Sequence, residues 1–236
     1  MTLTTTTTVH TTPGPRDYTQ PVLNLSAIRQ SYGDVEILHG VDLRAQPGEI
    51  IALLGPSGSG KTTLLAIAGG LLRPTSGTSQ ILGDDIYNNK GACIAIARRA
   101  AYILQASSTI PFLTVEDNLL VRLIVRDQAV SKSDRSRAQD LLALLDLDDK
   151  RHRFPNELSG GERQRVCVAA ALYTGSPLIL ADEATASLDR NRGRAVMELL
   201  AEHAHTQGCA VIAATHDERS LDLADRVISI EDGCVA

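Results

Sequence analysis

With 236 residues, 43% of them hydrophobic and 22% charged, the chain can bury a sizeable core as one large domain or two small ones. A formal charge of −5, only 3% aromatic residues and no tryptophan argue against a nucleic-acid surface that tracks phosphates and stacks bases. No apolar run approaches the roughly 18–20 residues that cross a bilayer, so any membrane role is expected to be played from outside it.

Threonine fills eight of the first twelve positions, and Pro13-Gly14-Pro15 follow. So polar a stretch buries too little apolar area to offset its ordering entropy. Residues 1–20 are therefore expected to form a flexible tail ahead of a single domain over 21–236. The tail lacks the apolar segment of a secretory leader, which points to the cytosol. Strand-like alternation starts near Val22, with Leu23, Leu25 and Ala27 directed inward. A second strand is expected over Val41–Ala45, ending at the turn Pro47-Gly48-Glu49. Ile50–Leu54 is a short, continuous apolar run bounded by glycine, the pattern of a strand buried on both faces of a parallel sheet.

Leu178–Ala181 and Ala210–Ala214 repeat that pattern, and helical periodicity covers Arg137–Leu147, Glu162–Thr174 and Arg192–His203. This alternation predicts an α/β fold with a mainly parallel sheet. The segment from about Ala106 to Thr174 is almost wholly helical and reads as an inserted helical subdomain. A last strand, Val227–Glu231, precedes the turn Asp232-Gly233, and there is no internal repeat. Cys93, Cys167, Cys209 and Cys234 have no metal-binding spacing; the two in apolar surroundings, Cys167 and Cys209, read as reduced, buried small hydrophobes.

The first chemical motif follows Ile50–Leu54: Gly55-Pro56-Ser57-Gly58-Ser59-Gly60-Lys61-Thr62, with Thr63 next in line. A glycine-rich turn between a strand and a helix folds tightly enough to aim successive N–H groups at phosphate oxygens. Lys61 would bring positive charge to the β- and γ-phosphates, Thr62 a hydroxyl for Mg²⁺, and the helix N-terminus its partial positive charge. Asp182 ends an apolar strand, the expected place for a second Mg²⁺ ligand, and Glu183 follows as candidate general base. An Asp-Glu pair alone reads equally as a surface turn; the phosphate loop gives it its meaning. In Leu158-Ser159-Gly160-Gly161-Glu162-Arg163-Gln164-Arg165 a Ser-Gly-Gly run opens a helix, offering donors to an anion or simply capping the helix.

Taken with the phosphate loop, that run resembles the signature of ABC-type ATPases, and the family motifs occur in order across roughly residues 24–233. The resemblance implies a P-loop NTPase (RecA-like) core with a mainly parallel sheet, a small antiparallel β portion and an inserted helical subdomain. It implies ATP and Mg²⁺ as ligands. Tyr32 resembles the aromatic that stacks on adenine, although a tyrosine after a strand also reads as packing. Gln105 resembles the glutamine that touches Mg²⁺ and the attacking water. Asp189 resembles the loop residue that faces the opposite subunit, and His216 the histidine that holds the γ-phosphate and positions Glu183. The other five histidines read as solvated or packed. Where the family usually has proline after the Asp-Glu pair, this chain has Ala184, which leaves every reacting group in place.

The resemblance also implies a head-to-tail homodimer enclosing two ATP molecules, each between Lys61 of one subunit and Ser159, Gly160 and Gly161 of the other. It implies an integral-membrane permease docked near Ser107–Val115, where Ile110, Pro111 and Phe112 would be contacts, and a place at the cytoplasmic face of the bacterial membrane. No nucleic-acid partner is expected. A soluble ATPase acting on ribosomes or DNA and an inactive dimerisation module are the competing readings; the intact set Lys61, Asp182, Glu183 and His216 weighs against the second. The chain is similar to stand-alone ATPases of lipoprotein-release and macrolide-efflux systems. It is most similar to bacterial haem-efflux ATPases in Gly69–Leu72 with Thr75–Thr78, in Ala184–Asp189, and in Thr215-His216-Asp217 with Ala224–Val227. Haem export is thus the first cargo expectation, with macrolide or peptide efflux, or lipoprotein release, as the alternative.

Overall fold

In a computed structural model, which describes residues 18–88, 93–105, 108–125, 128–216 and 218–235, the apolar runs form the middle of a sheet. Residues 1–17 of the expected tail, together with Ala106, Ser107 and Asp217, lie outside the described residues. The chain begins with a hairpin of β1 (Leu23–Tyr32) and β2 (Val35–Ala45), then β3 (Ile50–Leu54) and α1 (Lys61–Ala68). Next come β4 (Ser76–Ile81), β5 (Asp84–Asp85), α2 (Cys93–Ala97) and β6 (Ala100–Ile103). Helices α3 (Val115–Ile124), α4 (Lys132–Leu144) and α5 (Gly160–Tyr173) follow. The chain then alternates through β7 (Leu178–Asp182), α6 (Arg190–Gln207) and β8 (Ala210–Ala214), ending in β9 (Arg226–Glu231) and β10 (Cys234–Val235).

The main sheet has six strands in the order β10-β9-β3-β8-β7-β6, parallel except for β10. A separate antiparallel sheet has the order β2-β1-β4-β5. The expected division into a parallel core and a small antiparallel portion is present. Side chains of successive strand residues point to opposite faces, and the central strands divide accordingly. Ile179, Ala181, Val211 and Ala213 pack with α3, α4, α5 and α6, whereas Leu178, Leu180, Ala210 and Ile212 pack with α1 and the antiparallel sheet. Cys167 and Cys209 are buried free thiols, as expected, and Cys234 is an exposed one.

Local signals explain where the elements depart from the sequence pattern. Ala27, expected to face inward, is exposed at φ 49°, because a register shift between Leu25 and Ile28 turns Ile28 to the core instead. The Ala27 N–H donates to Asp42 Oδ1 at 2.9 Å. Strand β2 starts six residues before Val41, since Gly33 and Asp34 form a tight turn and Gly40, at φ 89°, interrupts the alternation without ending the ladder. Helix α4 starts at Lys132 rather than Arg137: Ser131 and Asp134 form a capping box, with Asp134 N donating to Ser131 Oγ at 3.1 Å and Ser131 N to Asp134 Oδ2 at 2.9 Å. Among the described residues no helix is long and apolar enough to cross a membrane.

The close approach of α1 to β6 needs a residue without a side chain. A Cβ on Gly69, at the C-terminus of α1, would lie 1.9 Å from Tyr102 Oη and 2.7 Å from Leu180 Cδ1. Gly69→Ala is expected to lower stability by about 1–3 kcal/mol through overpacking. Adding Tyr102→Phe should recover part of that loss, as read from urea unfolding.

Candidate functional site

Because the parallel strands are covered on both faces, polar side chains gather where the strands end, in the crevice outside their carboxyl ends. The chain leaving β3 turns through Gly55, Gly58 and Gly60 at φ 148°, 84° and 102° before entering α1. A Cβ on Gly55 would lie 2.2 Å from Ile230 O, and one on Gly60 2.7 Å from Leu38 Cδ2, so the loop is wedged between β9 and β2. Lys61 is buried, its Nζ donating to Gly55 O at 2.7 Å and Pro56 O at 2.9 Å, which bends the ammonium back over the loop. Among the described residues, buried Ser59 Oγ has no hydrogen-bond partner and no side chain caps the N-terminus of α1. Unmet donors around an open loop suit an anion with several oxygens. Gly58, where a Cβ would meet nothing within 4 Å, leaves that side open.

The carboxylate of Glu183 is held from two neighbouring strand ends. Gln105 Nε2, two residues beyond β6, donates to Glu183 Oε2 at 3.1 Å. His216 Nδ1, two residues beyond β8, lies 3.1 Å from Glu183 Oε1. Glu183 has φ 50°, uncommon for a residue with a side chain, and its N–H donates to Ala214 O at 3.0 Å. Asp182, the last residue of β7, is buried beside it. Ala184 is buried in the core, and its N–H donates to no described residue, so the proline usual in the family would cost no hydrogen bond. Glu183, Thr215 and His216 open onto a cavity of 330 Å³, lined on its other side by Asp189, Arg190 and Gly193.

The oxygens available from Thr62, Asp182 and Gln105 suit a hard cation such as Mg²⁺. Among the described residues no group of three or more His, Cys, Asp or Glu could cage a metal.

Other expected site residues stand on β1 and at the starts of α5 and α6. Tyr32 ends β1 and is 54% exposed, so it is not a packing residue. Ser159 caps α5: its Oγ accepts from Glu162 N at 3.3 Å, and Glu162 Oε2 accepts from Ser159 N at 2.7 Å. The hydroxyl also bonds to the Glu162 carboxyl, so its proton is directed at that side chain. Gly160 is open, whereas a Cβ on Gly161 would lie 3.2 Å from Leu188 Cδ2, which fits the signature turn against the loop that ends in Asp189. Asp189 caps α6 by accepting from Arg192 N at 3.1 Å, and that N–H holds its carboxyl below the ordinary range.

Sequence reasoning missed Asn118 and Gln164. Asn118, buried on α3, accepts from Ile110 N at 2.7 Å and donates to Ile110, Leu113 and Thr114 carbonyls, fixing the loop that presents Phe112 to solvent. Gln164 Nε2 donates to Leu104 O at 3.3 Å, tying α5 to the residue before Gln105. Asn118 belongs to no motif and acts on the loop just before its own helix, whereas Gln164 lies within the run Leu158–Arg165 and acts on a segment distant in sequence. Next to the Asn118 loop is a groove of 470 Å³ between core and helical portion, lined by Leu71, Ile94, Tyr102, Ile110 and Cys167 among others.

The family model described as "ABC transporter" matches residues 38–186. The macrolide export ATP-binding/permease protein MacB of Nitrosomonas europaea is 42% identical over 221 residues, covering 90% of this chain and 33% of that protein. MacB of Escherichia coli strain K12 is 41% identical over 219 residues, covering 90% and 34%. The chain therefore spans about a third of the length of these curated relatives. Among solved structures, the dimeric ATP-binding cassette MJ0796 in a post-hydrolysis state bound to ADP and Pi superposes with a TM-score of 0.84 at 34% identity, over 90% of this chain and 96% of that one. A second dimeric structure of MJ0796, described as a bacterial ABC transporter cassette, gives 0.81 at 33%, with the same coverage.

The Ser159 N–H and hydroxyl, with Lys150 beyond them, hold the Glu162 carboxyl at about 2, below its ordinary 4.5. A depressed carboxyl stabilises the fold above its ordinary value and loses that contribution as pH falls through the folded one. The stability advantage of the native chain over Glu162→Gln, read as the urea midpoint, is expected to shrink as pH falls from 4.5 to about 2.

Proposed function

The chain belongs to the ABC transporter family as an ATP-hydrolysing ATPase domain, and on that premise we propose that its ATPase cycle drives a permease at the cytoplasmic face of a bacterial membrane. The observation that carries the catalytic reading is the Glu183 carboxylate, held between Gln105 and His216 beside buried Asp182. Glu183 takes the proton of the attacking water; Gln105 and His216 keep its oxygens aimed. Lys61 exchanges its two carbonyl partners for β- and γ-phosphate oxygens, and the loop amides and Ser59 hydroxyl complete the cradle. Thr62, Asp182 and Gln105 would hold Mg²⁺, which would supply positive charge against the phosphates. Tyr32 stacks on the adenine.

Ser159, Gly160 and Gly161 act across a head-to-tail homodimer, where the Ser159 hydroxyl, turned from Glu162 to the nucleotide, and the α5 N-terminus meet the γ-phosphate of the partner's nucleotide. Asp189, at the rim of the Glu183 cavity, faces the partner subunit. Loss of the γ-phosphate on hydrolysis removes these contacts and reopens the dimer. The permease docks at the 470 Å³ groove and at the described part of the Ser107–Val115 loop. Phe112, 76% exposed on a loop that Asn118 holds rigid, supports that placement. The relatives unite ATP-binding and permease portions under the name macrolide export, which supports an amphiphilic macrolide or peptide cargo over haem.

Glu183→Gln is expected to slow ATP hydrolysis by about 100-fold or more while ATP binding persists and ATP-bound dimers accumulate, seen by light scattering. Normal turnover in that variant would remove Glu183 from its role. Lys61→Ala should instead weaken ATP binding itself. For cargo, cells lacking the protein should become sensitive to macrolides; sensitivity to haem alone would reverse the choice.

A further inference from the structure

A charged cluster lies along the strands that lead from Tyr32 to the phosphate loop, with no role in the reading above. Where β1 and β2 meet across Gly33-Asp34, Tyr32 pairs with Val35, Ser31 with Glu36 and Arg29 with His39. Arg29 Nη1 donates to Glu36 Oε1 at 2.8 Å, and His39 Nδ1 lies 3.2 Å from Glu36 Oε2. One carboxylate thus joins both strands at the root of the turn that carries Tyr32. The guanidinium passes over a glycine: a Cβ on Gly40 would lie 3.5 Å from Arg29 Nη2. On the other edge of β1, Ser31 N donates to Thr75 Oγ1 at 3.0 Å, and the buried Gln30 accepts from Thr75 N at 3.1 Å.

The strand that supplies Glu36 and His39 is also fitted to the phosphate loop. A Cβ on Gly60 would lie 2.7 Å from Leu38 Cδ2 and 3.3 Å from Ile37 O. His39 N donates to Gly233 O at 2.9 Å, which anchors the same strand to the turn after β9. The β2 residues from Val35 to His39 therefore form a short, stiff arm from the base of the Tyr32 turn to the phosphate cradle.

We propose that the Arg29–Glu36–His39 cluster is a positioning device that holds Tyr32 at the distance from the phosphate loop which a nucleobase requires. The inference rests on the reading of Tyr32 as the base-stacking residue. A lone half-exposed ion pair contributes little to stability. Here the carboxylate is held from both strands, and the energy serves to keep an otherwise exposed ring in one place before ATP arrives. Preorganisation of that kind is read in affinity for the base, not for the phosphates.

The test measures binding of ATP and of inorganic tripolyphosphate to the full chain, with kcat and KM for ATP. The variants are Glu36→Gln, Tyr32→Ala and the charge exchange Arg29→Glu with Glu36→Arg. Glu36→Gln is expected to weaken ATP binding by about three- to tenfold and raise KM with kcat little changed. Tripolyphosphate binding should stay native, and the charge exchange should restore at least half of the lost ATP affinity. If Tyr32→Ala leaves ATP affinity unchanged, the base-stacking reading itself fails, and the proposal with it. If Tyr32→Ala weakens ATP and Glu36→Gln does not, only the positioning role fails. Equal weakening of tripolyphosphate by Glu36→Gln, or no recovery on charge exchange, also overturns it.

Discussion

Because β3, β7 and β8 are covered by side chains on both faces, the core of this protein has no lateral surface on which polar chemistry can sit. Carboxylates, amides and imidazole must collect at the strand ends, where the backbone leaves the ladder and water can reach. The phosphate loop, Gln105, Asp182, Glu183 and His216 all occupy such ends. Parallel neighbours end side by side, so residues up to 111 positions apart in the chain, Gln105 and His216, serve the same carboxylate.

That arrangement gives Glu183 its unusual turn. Its N–H closes onto Ala214 at the end of the next strand, and its φ of 50° swings the side chain toward Gln105 and His216. Backbone cost at one position is repaid in a carboxylate whose two oxygens are already aimed. The helical portion is tied to the same region through Gln164 at Leu104, two positions before Ala106 and next to Gln105. A force on the helices can therefore reach Gln105 through a short chain of contacts.

The signature turn has a different relation to this centre. Ser159 is held by its own capping box and by the fit of Gly161 against Leu188. A helix start of this kind keeps first-turn backbone N–H groups for an anion, which is the logic of the contact proposed with a neighbour's nucleotide. Sequence likeness to dimeric cassettes fits that logic.

Local patterns in the sequence determined the class of the fold, the phosphate loop and the family. Apolar runs, a glycine spacing and a Ser-Gly-Gly helix start each state their physics within a few residues. The start of α4 is also a local matter, since the Ser131–Asp134 capping box sets it five residues before the leucine periodicity begins at Arg137. Tertiary structure alone decided which way Ala27 faces, because a bulge inverts every later side chain and depends on the partner strand. It alone brought Gln105 and His216 to opposite oxygens of Glu183, and joined Arg29, Glu36 and His39 on the strands that link Tyr32 to Gly60. Those relations join segments distant in the chain, and no local periodicity encodes the distance between two strands until the sheet has formed.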